Sequence, residues 1–181
     1  MEIWNSFIDR TGVEDPDLRF TVLAVARIPY GRPASPTAAG VVDDWRGTCS
    51  TKHLLLRELL GERWPSIGVQ LWHRMYQLTP ELARARWGQD VASVVPFDGL
   101  IDVHNYATFR RAGEPVVVDV TFPVTDWDGV SPMELACGSG EDRLAGADLM
   151  AEKQQLVASY CDAAKREPFI SALSASLGAD E

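Results

Sequence analysis

The sequence has no long apolar run, no basic cluster and no even set of cysteines. No apolar stretch approaches the roughly 18–20 residues that a transmembrane helix needs, and residues 1–9 lack the basic-then-apolar order of a signal peptide. The three cysteines, an odd number, are typical of reduced thiols, although Cys137 and Cys161 could still pair. We therefore expect a cytoplasmic protein that does not span a membrane.

The charge distribution argues against nucleic acid as a partner. The net charge is −9 at pH 7, and no stretch concentrates lysine or arginine, whereas nucleic-acid-binding proteins usually carry a basic face. Hydrophobic residues make up 46% and charged residues 24% of the 181 residues. This composition is enough for one core without a disulfide or a metal. We expect a single domain over residues 1–181 and no cofactor.

The order of secondary-structure signals indicates an α+β fold, because helical patterns come first, strand patterns follow, and helical patterns return. Thr79 is a predicted helix cap, with Pro80 at the first helical position. A loop rich in Pro, Ala and Gly is expected up to about Val42, and a turn-rich segment over 123–146. The predicted helices are 15–28 (with Asp15 as cap), 48–60, a short one from Thr79, 147–165 and 168–177, and the predicted strands are 67–78, 100–109 and 114–122.

Cys49 stands at the start of the most apolar of these helices. The leucines after it cover most of the helix circumference, which predicts a buried central helix, with Gly61 as its C-terminal stop. A cysteine in the first helical turn lies near the positive end of the helix dipole and near backbone N–H groups. Both features favour the thiolate, and the N–H groups can stabilise an oxyanion. Cys49 is therefore a candidate nucleophile; the alternative is a small residue that fits under a loop.

His104 and Asp119 lie on the two strands of a predicted β-hairpin. If the connection centres between Arg111 and Ala112, the two residues are directly opposed on one face of the sheet, and a shift of the turn by half a residue makes them diagonal neighbours. Asp119 follows a run of valines, where a carboxylate is costly to bury without a partner. An aspartate bonded to one imidazole nitrogen orients the other nitrogen towards a nucleophile. A structural His–Asp pair, or an exposed edge position for Asp119, would also fit the pattern.

This ordered combination resembles the transglutaminase-like superfamily over roughly residues 40–123. The segment Trp45-Arg46-Gly47-Thr48-Cys49, followed by a leucine-rich helix, is similar to the nucleophile region of that superfamily. His104, with the later segment from Gly113 to Thr121, is similar to its histidine and aspartate strands. Both regions are also similar to arylamine N-acetyltransferases, which belong to the same structural clan.

The resemblance implies a papain-like core, in which a central cysteine-bearing helix packs on an antiparallel sheet, with helices C-terminal to it. It implies acyl transfer on an amide or thioester, with Cys49 as nucleophile, His104 as base and acid, and Asp119 as the orienting group. The acyl donor would be a small molecule or a peptide, and the acceptor water or an amine. Trp45 and Asn105 are candidate substrate-binding residues. An inactive relative that serves as a binding module would show the same pattern.

Two further histidines offer alternative chemistry. His53 follows Cys49 by four residues on the same helix face, where it is another base, a metal ligand or, in the interpretation we prefer, a packed or partly exposed histidine. Cys49, His53, His73 and His104 are residue types that suit zinc, so a zinc-dependent hydrolase is a second alternative. The short ligand pairs of common zinc motifs are absent, and we predict no metal site.

Overall fold

The computed structural model describes residues 2–177, and the predicted α+β class is confirmed over this range. Its strands form a four-stranded antiparallel sheet, in the order β3 (Glu114–Val118), β2 (Leu100–Arg111), β1 (Gln70–Leu78) and β4 (Gly140–Leu144). None of the described helices is long and apolar enough to cross a membrane. The helices are α1 (Glu2–Thr11), α2 (Leu18–Arg27), α3 (Ala38–Asp44), α4 (Cys49–Arg63), α5 (Pro80–Ser93), α6 (Leu149–Tyr160) and α7 (Ala163–Leu177).

The chain divides into two compact units, each built from two separate stretches. The first unit contains the residues up to Trp72 together with Asn105–Leu135, and therefore holds α1 to α4 and β3. The second contains His73–His104 and the residues from Ala136 onwards, and holds α5 to α7 and β4. Both β1 and β2 run from one unit into the other along the chain.

Helix α4 is the central helix of the first unit, where it packs against α1, α2 and α3. Its leucines are buried, as predicted, and Leu55, Leu56, Leu59 and Leu60 are completely so. The helix continues through Gly61, the predicted stop, and ends at Arg63. The N–H of Trp64 then donates to the Leu60 carbonyl at 2.8 Å, which satisfies one of the last carbonyls of the helix.

The first unit contains two helices that the sequence patterns do not predict, α1 and α3. Helix α3 lies in the segment expected to be a loop, where Thr37 caps it by accepting the N–H of Gly40 at 3.1 Å. Most of its residues are buried, so tertiary packing outweighs the low helix propensity of glycine and valine. Helix α2 is capped by Asp17, whose carboxylate accepts the N–H of Phe20 at 2.6 Å, and not by Asp15.

The hairpin between β2 and β3 has a different register from the predicted one. Its loop consists of Ala112 and Gly113 alone, with φ angles of 52° and 91°, as a two-residue type I′ turn requires. In this register Ala107 pairs with Val118, and β3 ends there. His104 and Asp119 are therefore not a paired position of this ladder, and their predicted direct opposition is wrong.

In the second unit the predicted cap of α5 is confirmed, whereas the predicted extent of the turn-rich segment and the bounds of the two C-terminal helices are wrong. Thr79 accepts the N–H of Leu82 at 3.3 Å, and Pro80 is the first helical residue. The segment predicted to be rich in turns contains β4. Asp162 lies between the two C-terminal helices, and its carboxylate accepts the N–H of Ala164 at 2.9 Å. Helix α7 therefore begins before Pro168, which lies inside the helix and not at its start.

We predict that Leu55→Ala lowers the free energy of unfolding by about 2–5 kcal/mol, because it leaves a cavity beside the buried face of α4. The matched control is Leu144→Ala, at a residue 53% exposed on β4, where we expect a change within about 0.5 kcal/mol. Urea denaturation followed by tryptophan fluorescence measures both. Equal unfolding midpoints for the two variants would contradict a core built around α4.

Candidate active site

Cys49 is the first residue of α4, as predicted, at the end where the first backbone N–H groups of a helix lack an intrahelical acceptor. Thr48 is the N-cap in extended conformation, and its N–H donates to Thr51 Oγ1 at 2.9 Å. Cys49 is 7% exposed. None of the three cysteines, all within residues 2–177, is in a disulfide, so Cys137 and Cys161 do not pair.

Gly47 connects the start of α4 to the segment that follows α2 through backbone hydrogen bonds. Its N–H donates to the Pro29 carbonyl at 3.0 Å, and the N–H of Gly31 donates to the Gly47 carbonyl at 3.2 Å, which makes a short parallel bridge. A Cβ atom on Gly47 would lie 2.6 Å from Lys52 Cγ. A glycine is therefore needed at this position for the Lys52 side chain to pass.

Lys52 is completely buried, which is unusual for a lysine. Its Nζ donates to three backbone carbonyls, those of Ala26 at 2.9 Å, Ile28 at 2.8 Å and Thr121 at 2.9 Å. The sequence patterns did not single this residue out. The sequence nevertheless contains a sign of its burial. Leucines stand three, four and seven residues after Lys52, and this spacing places Lys52 on the apolar face of the helix.

Two opposing effects set the charge of Lys52. Burial lowers its pKa from 10.5 to about 7, while the nearby charges of Asp119 and Cys49 act to raise it. An ammonium group has three N–H donors, and each of the three has a carbonyl acceptor here. A neutral amine would direct its lone pair at one of those oxygens, so the hydrogen bonds select the charged form. Asp119 and Cys49 therefore interact with the same cation.

Asp119 follows the last residue of β3 and is buried, so the alternative of an exposed edge position is wrong. Its Oδ1 accepts the N–H of Thr121 at 3.0 Å, which bends the chain tightly just after the strand. The Thr121 carbonyl in turn binds Lys52. The carboxylate is thus held in the first unit by its own turn and by the charge of Lys52.

His53 is packed, as we preferred, and both ring nitrogens lie within hydrogen-bonding distance of backbone groups. Nε2 accepts the N–H of Val120 at 3.1 Å, so Nδ1 carries the proton and donates to the Cys49 carbonyl at 2.6 Å. Nε2 also lies 3.8 Å from Asp119 Oδ1. Because Nε2 is occupied by a backbone donor, His53 is poorly placed to take a proton from a substrate.

Asn105 is buried and joins β2 to the first turn of α4. Its Oδ1 accepts from Ser50 Oγ at 2.9 Å, and its Nδ2 donates to the Trp72 carbonyl at 3.0 Å. Ser50 Oγ lies 3.9 Å from the Cys49 sulfur. The Asn105 amide therefore binds Ser50, the residue next to Cys49, and holds the Ser50 side chain in place. Its predicted contact with a substrate stays a prediction.

Trp45 terminates α3 in the left-handed conformation, with a φ angle of 48°. Its ring packs against α1, with its centroid 6.1 Å from that of Phe7 and 5.9 Å from the guanidinium carbon of Arg10. These contacts give the ring a structural role in the first unit. Its predicted role in substrate binding stays a prediction.

The remaining histidines belong to the second unit. His104 lies on β2 and is buried. His73 lies on β1, where its Nε2 is 3.6 Å from Glu152 Oε2 and burial lowers its pKa. Among residues 2–177, no group of three or more His, Cys, Asp or Glu side chains is placed to hold a metal ion.

The first unit therefore gives Cys49 two features that suit a cysteine nucleophile: a helix N-terminus, and a buried cation three residues later on the same helix. No family model, curated protein or solved structure matches the chain.

We predict that Gly47→Ala destabilises the protein by about 1–3 kcal/mol, because the new methyl group meets the Lys52 stem. The matched control is Gly61→Ala, inside α4, where a Cβ meets nothing within 4 Å. We expect that variant to be about 0.5–1 kcal/mol more stable than the wild type. Thermal unfolding of both variants measures the difference, and a Gly47→Ala protein as stable as Gly61→Ala would contradict the tight packing of Lys52.

Proposed function

We propose that this protein is a transglutaminase-like cysteine enzyme, which transfers an acyl group from an amide or thioester to water or an amine. The observation that supports it most is the location of Cys49 at the first position of a buried helix, three residues before Lys52, whose ammonium group is buried. The helix N-terminus and the cation both stabilise a thiolate. The roles of His104 and Asp119 rest on the resemblance and on the order of the residues along the chain.

The reaction proceeds in two acyl transfers. The Cys49 thiolate attacks the carbonyl carbon of the donor, and the N–H groups at the start of α4 stabilise the oxyanion that forms. His104 protonates the leaving amine or thiol, the bond to it breaks, and a thioester on Cys49 remains. Water or an amine then attacks this thioester while His104 takes its proton. The acid or new amide leaves, and Cys49 returns to the thiolate, with Asp119 orienting His104 throughout.

The proposal extends to the substrate class and the compartment. The acyl donor is a small molecule or a peptide, and an amine is a candidate acceptor. The cytoplasm is the proposed location, since reducing conditions favour free thiols and the three cysteines within residues 2–177 are free thiols. The net charge of −9 agrees with a partner other than nucleic acid.

A binding domain without catalytic activity is a second candidate. The observation that favours it is the burial of Cys49, which is 7% exposed, among polar groups that bind one another. In that case the cluster around α4 serves to hold the first unit together. The two candidates differ in the reactivity of the Cys49 thiol, which is high in the enzyme and ordinary or low in the binding domain.

We predict that iodoacetamide modifies Cys49 with a pH midpoint below about 8.5, the ordinary value for cysteine. His104→Ala should move this midpoint upwards, because in the proposed triad the His104 imidazolium favours the thiolate. Peptide mass spectrometry after timed labelling from pH 5 to 10 reads each cysteine separately. Cys161 is the internal control, since burial raises the pKa of its thiol.

Access to the thiol needs its own control, because slow labelling alone would not separate a closed site from an ordinary thiol. Methyl methanethiosulfonate, a smaller reagent, is used in parallel over the same pH range. A Cys49 midpoint at or above about 8.5 with both reagents would overturn the enzyme proposal and favour the binding domain.

A further inference from the structure

Lys52 connects two stretches of backbone that are remote in sequence. The carbonyls of Ala26 and Ile28 belong to the end of α2, and the carbonyl of Thr121 belongs to the segment after β3. Carbonyls in the last turn of a helix lack intrahelical partners and carry partial negative charge. A buried ammonium group is a suitable partner for them, and it brings Thr121 to the same point.

His53, the residue after Lys52, makes a second hydrogen bond between α4 and the segment that follows β3. His53 Nε2 accepts the N–H of Val120 at 3.1 Å, while Lys52 donates to the carbonyl of Thr121 at 2.9 Å. Two consecutive helical residues thus bind backbone groups of two consecutive residues, Val120 and Thr121, in the segment that begins with Asp119. The position of the Asp119 carboxylate relative to α4 is therefore fixed through Lys52 and His53.

Lys52 is also a neighbour of Cys49 on the helix, since residues three apart share one face. The charged or titratable groups that face its ammonium group are Cys49 on α4 and Asp119 after β3. His53, 3.8 Å from Asp119, has the neutral Nδ1–H form and adds no charge. Lys52 is therefore a buried cation whose charge interacts with both Cys49 and Asp119.

We propose that Lys52 is a positioning residue for the Cys49 nucleophile: its buried ammonium group fixes Ala26–Ile28 and Asp119–Thr121 around the start of α4 and favours the Cys49 thiolate. The meaning of this role for catalysis rests on the proposed function. The electrostatic coupling between the two side chains does not, because it exists without substrate. A lysine that serves only to bind carbonyls would hold the fold equally well but would not respond to the charge of Cys49.

The coupling is measured most directly on Lys52 itself. The chain contains only three lysines, Lys52, Lys153 and Lys165, so protein labelled with ¹³C at lysine Cε gives three signals. Lys153→Arg and Lys165→Arg assign them by elimination. We expect the Lys52 signal to titrate well below the ordinary lysine pKa, and Cys49→Ala to lower that pKa by about half a unit or more, because the thiolate no longer stabilises the ammonium group.

The reciprocal measurement is made on Cys49. Lys52→Met should raise the pH midpoint of Cys49 labelling by the same amount as Cys49→Ala lowers the Lys52 pKa, because coupling between two sites is mutual. Lys153→Met is the matched control, since Lys153 is also buried but belongs to α6 and not to the helix of Cys49, and it should leave the midpoint unchanged. If Lys52→Met does not fold, the Cys49→Ala titration alone decides.

A Lys52 pKa that is the same in wild type and Cys49→Ala would overturn the proposal. In that case Asp119→Asn is measured as well. If Asp119→Asn lowers the Lys52 pKa while Cys49→Ala does not, Lys52 has a purely structural role. Measured coupling without any acyl transfer to Cys49 would instead reject the proposed function and leave the Lys52 inference intact. The two failures are therefore distinguishable.

Discussion

The buried ammonium group of Lys52 is the interaction on which the arrangement around Cys49 depends. It draws the end of α2 and the chain after β3 to the first turns of α4, through three carbonyl acceptors. The Gly47 bridge to Pro29 and Gly31 lies against the same side chain. Removing a charged group from water costs several kcal/mol, so this contact persists only because all three donors are bound and a carboxylate is near.

Because burying Lys52 is costly, the lysine is tolerated at this position only with its specific set of hydrogen bonds. An apolar residue at this position could pack against the leucines of α4, yet it would leave three carbonyls without their donor. A lysine with a lowered pKa is also sensitive to every charge around it, in contrast to an exposed lysine. The same contact thus organises the backbone of the first unit and links its stability to the charge states of Asp119 and Cys49.

The parts predictable from the sequence are those with strong local signals. The leucine pattern predicts α4 and its burial, and Thr79-Pro80 predicts the start of α5, because caps and apolar periodicity act over a few residues. The hairpin was predicted but its register was not, since Ala112 adopts a positive φ angle that favours glycine or asparagine. Lys52 was missed because its acceptors are remote in sequence, and a lysine is ordinarily exposed.

The most direct test of the account is to trap the acyl group on Cys49. The protein is mixed with an activated thioester donor, quenched in acid within seconds, and digested for peptide mass analysis with and without hydroxylamine, which cleaves thioesters. The account predicts a hydroxylamine-sensitive acyl group on Cys49, absent from Cys137 and Cys161 and lost with time as water or an added amine accepts it. An equal acyl content on all three cysteines, or none on Cys49, would contradict it.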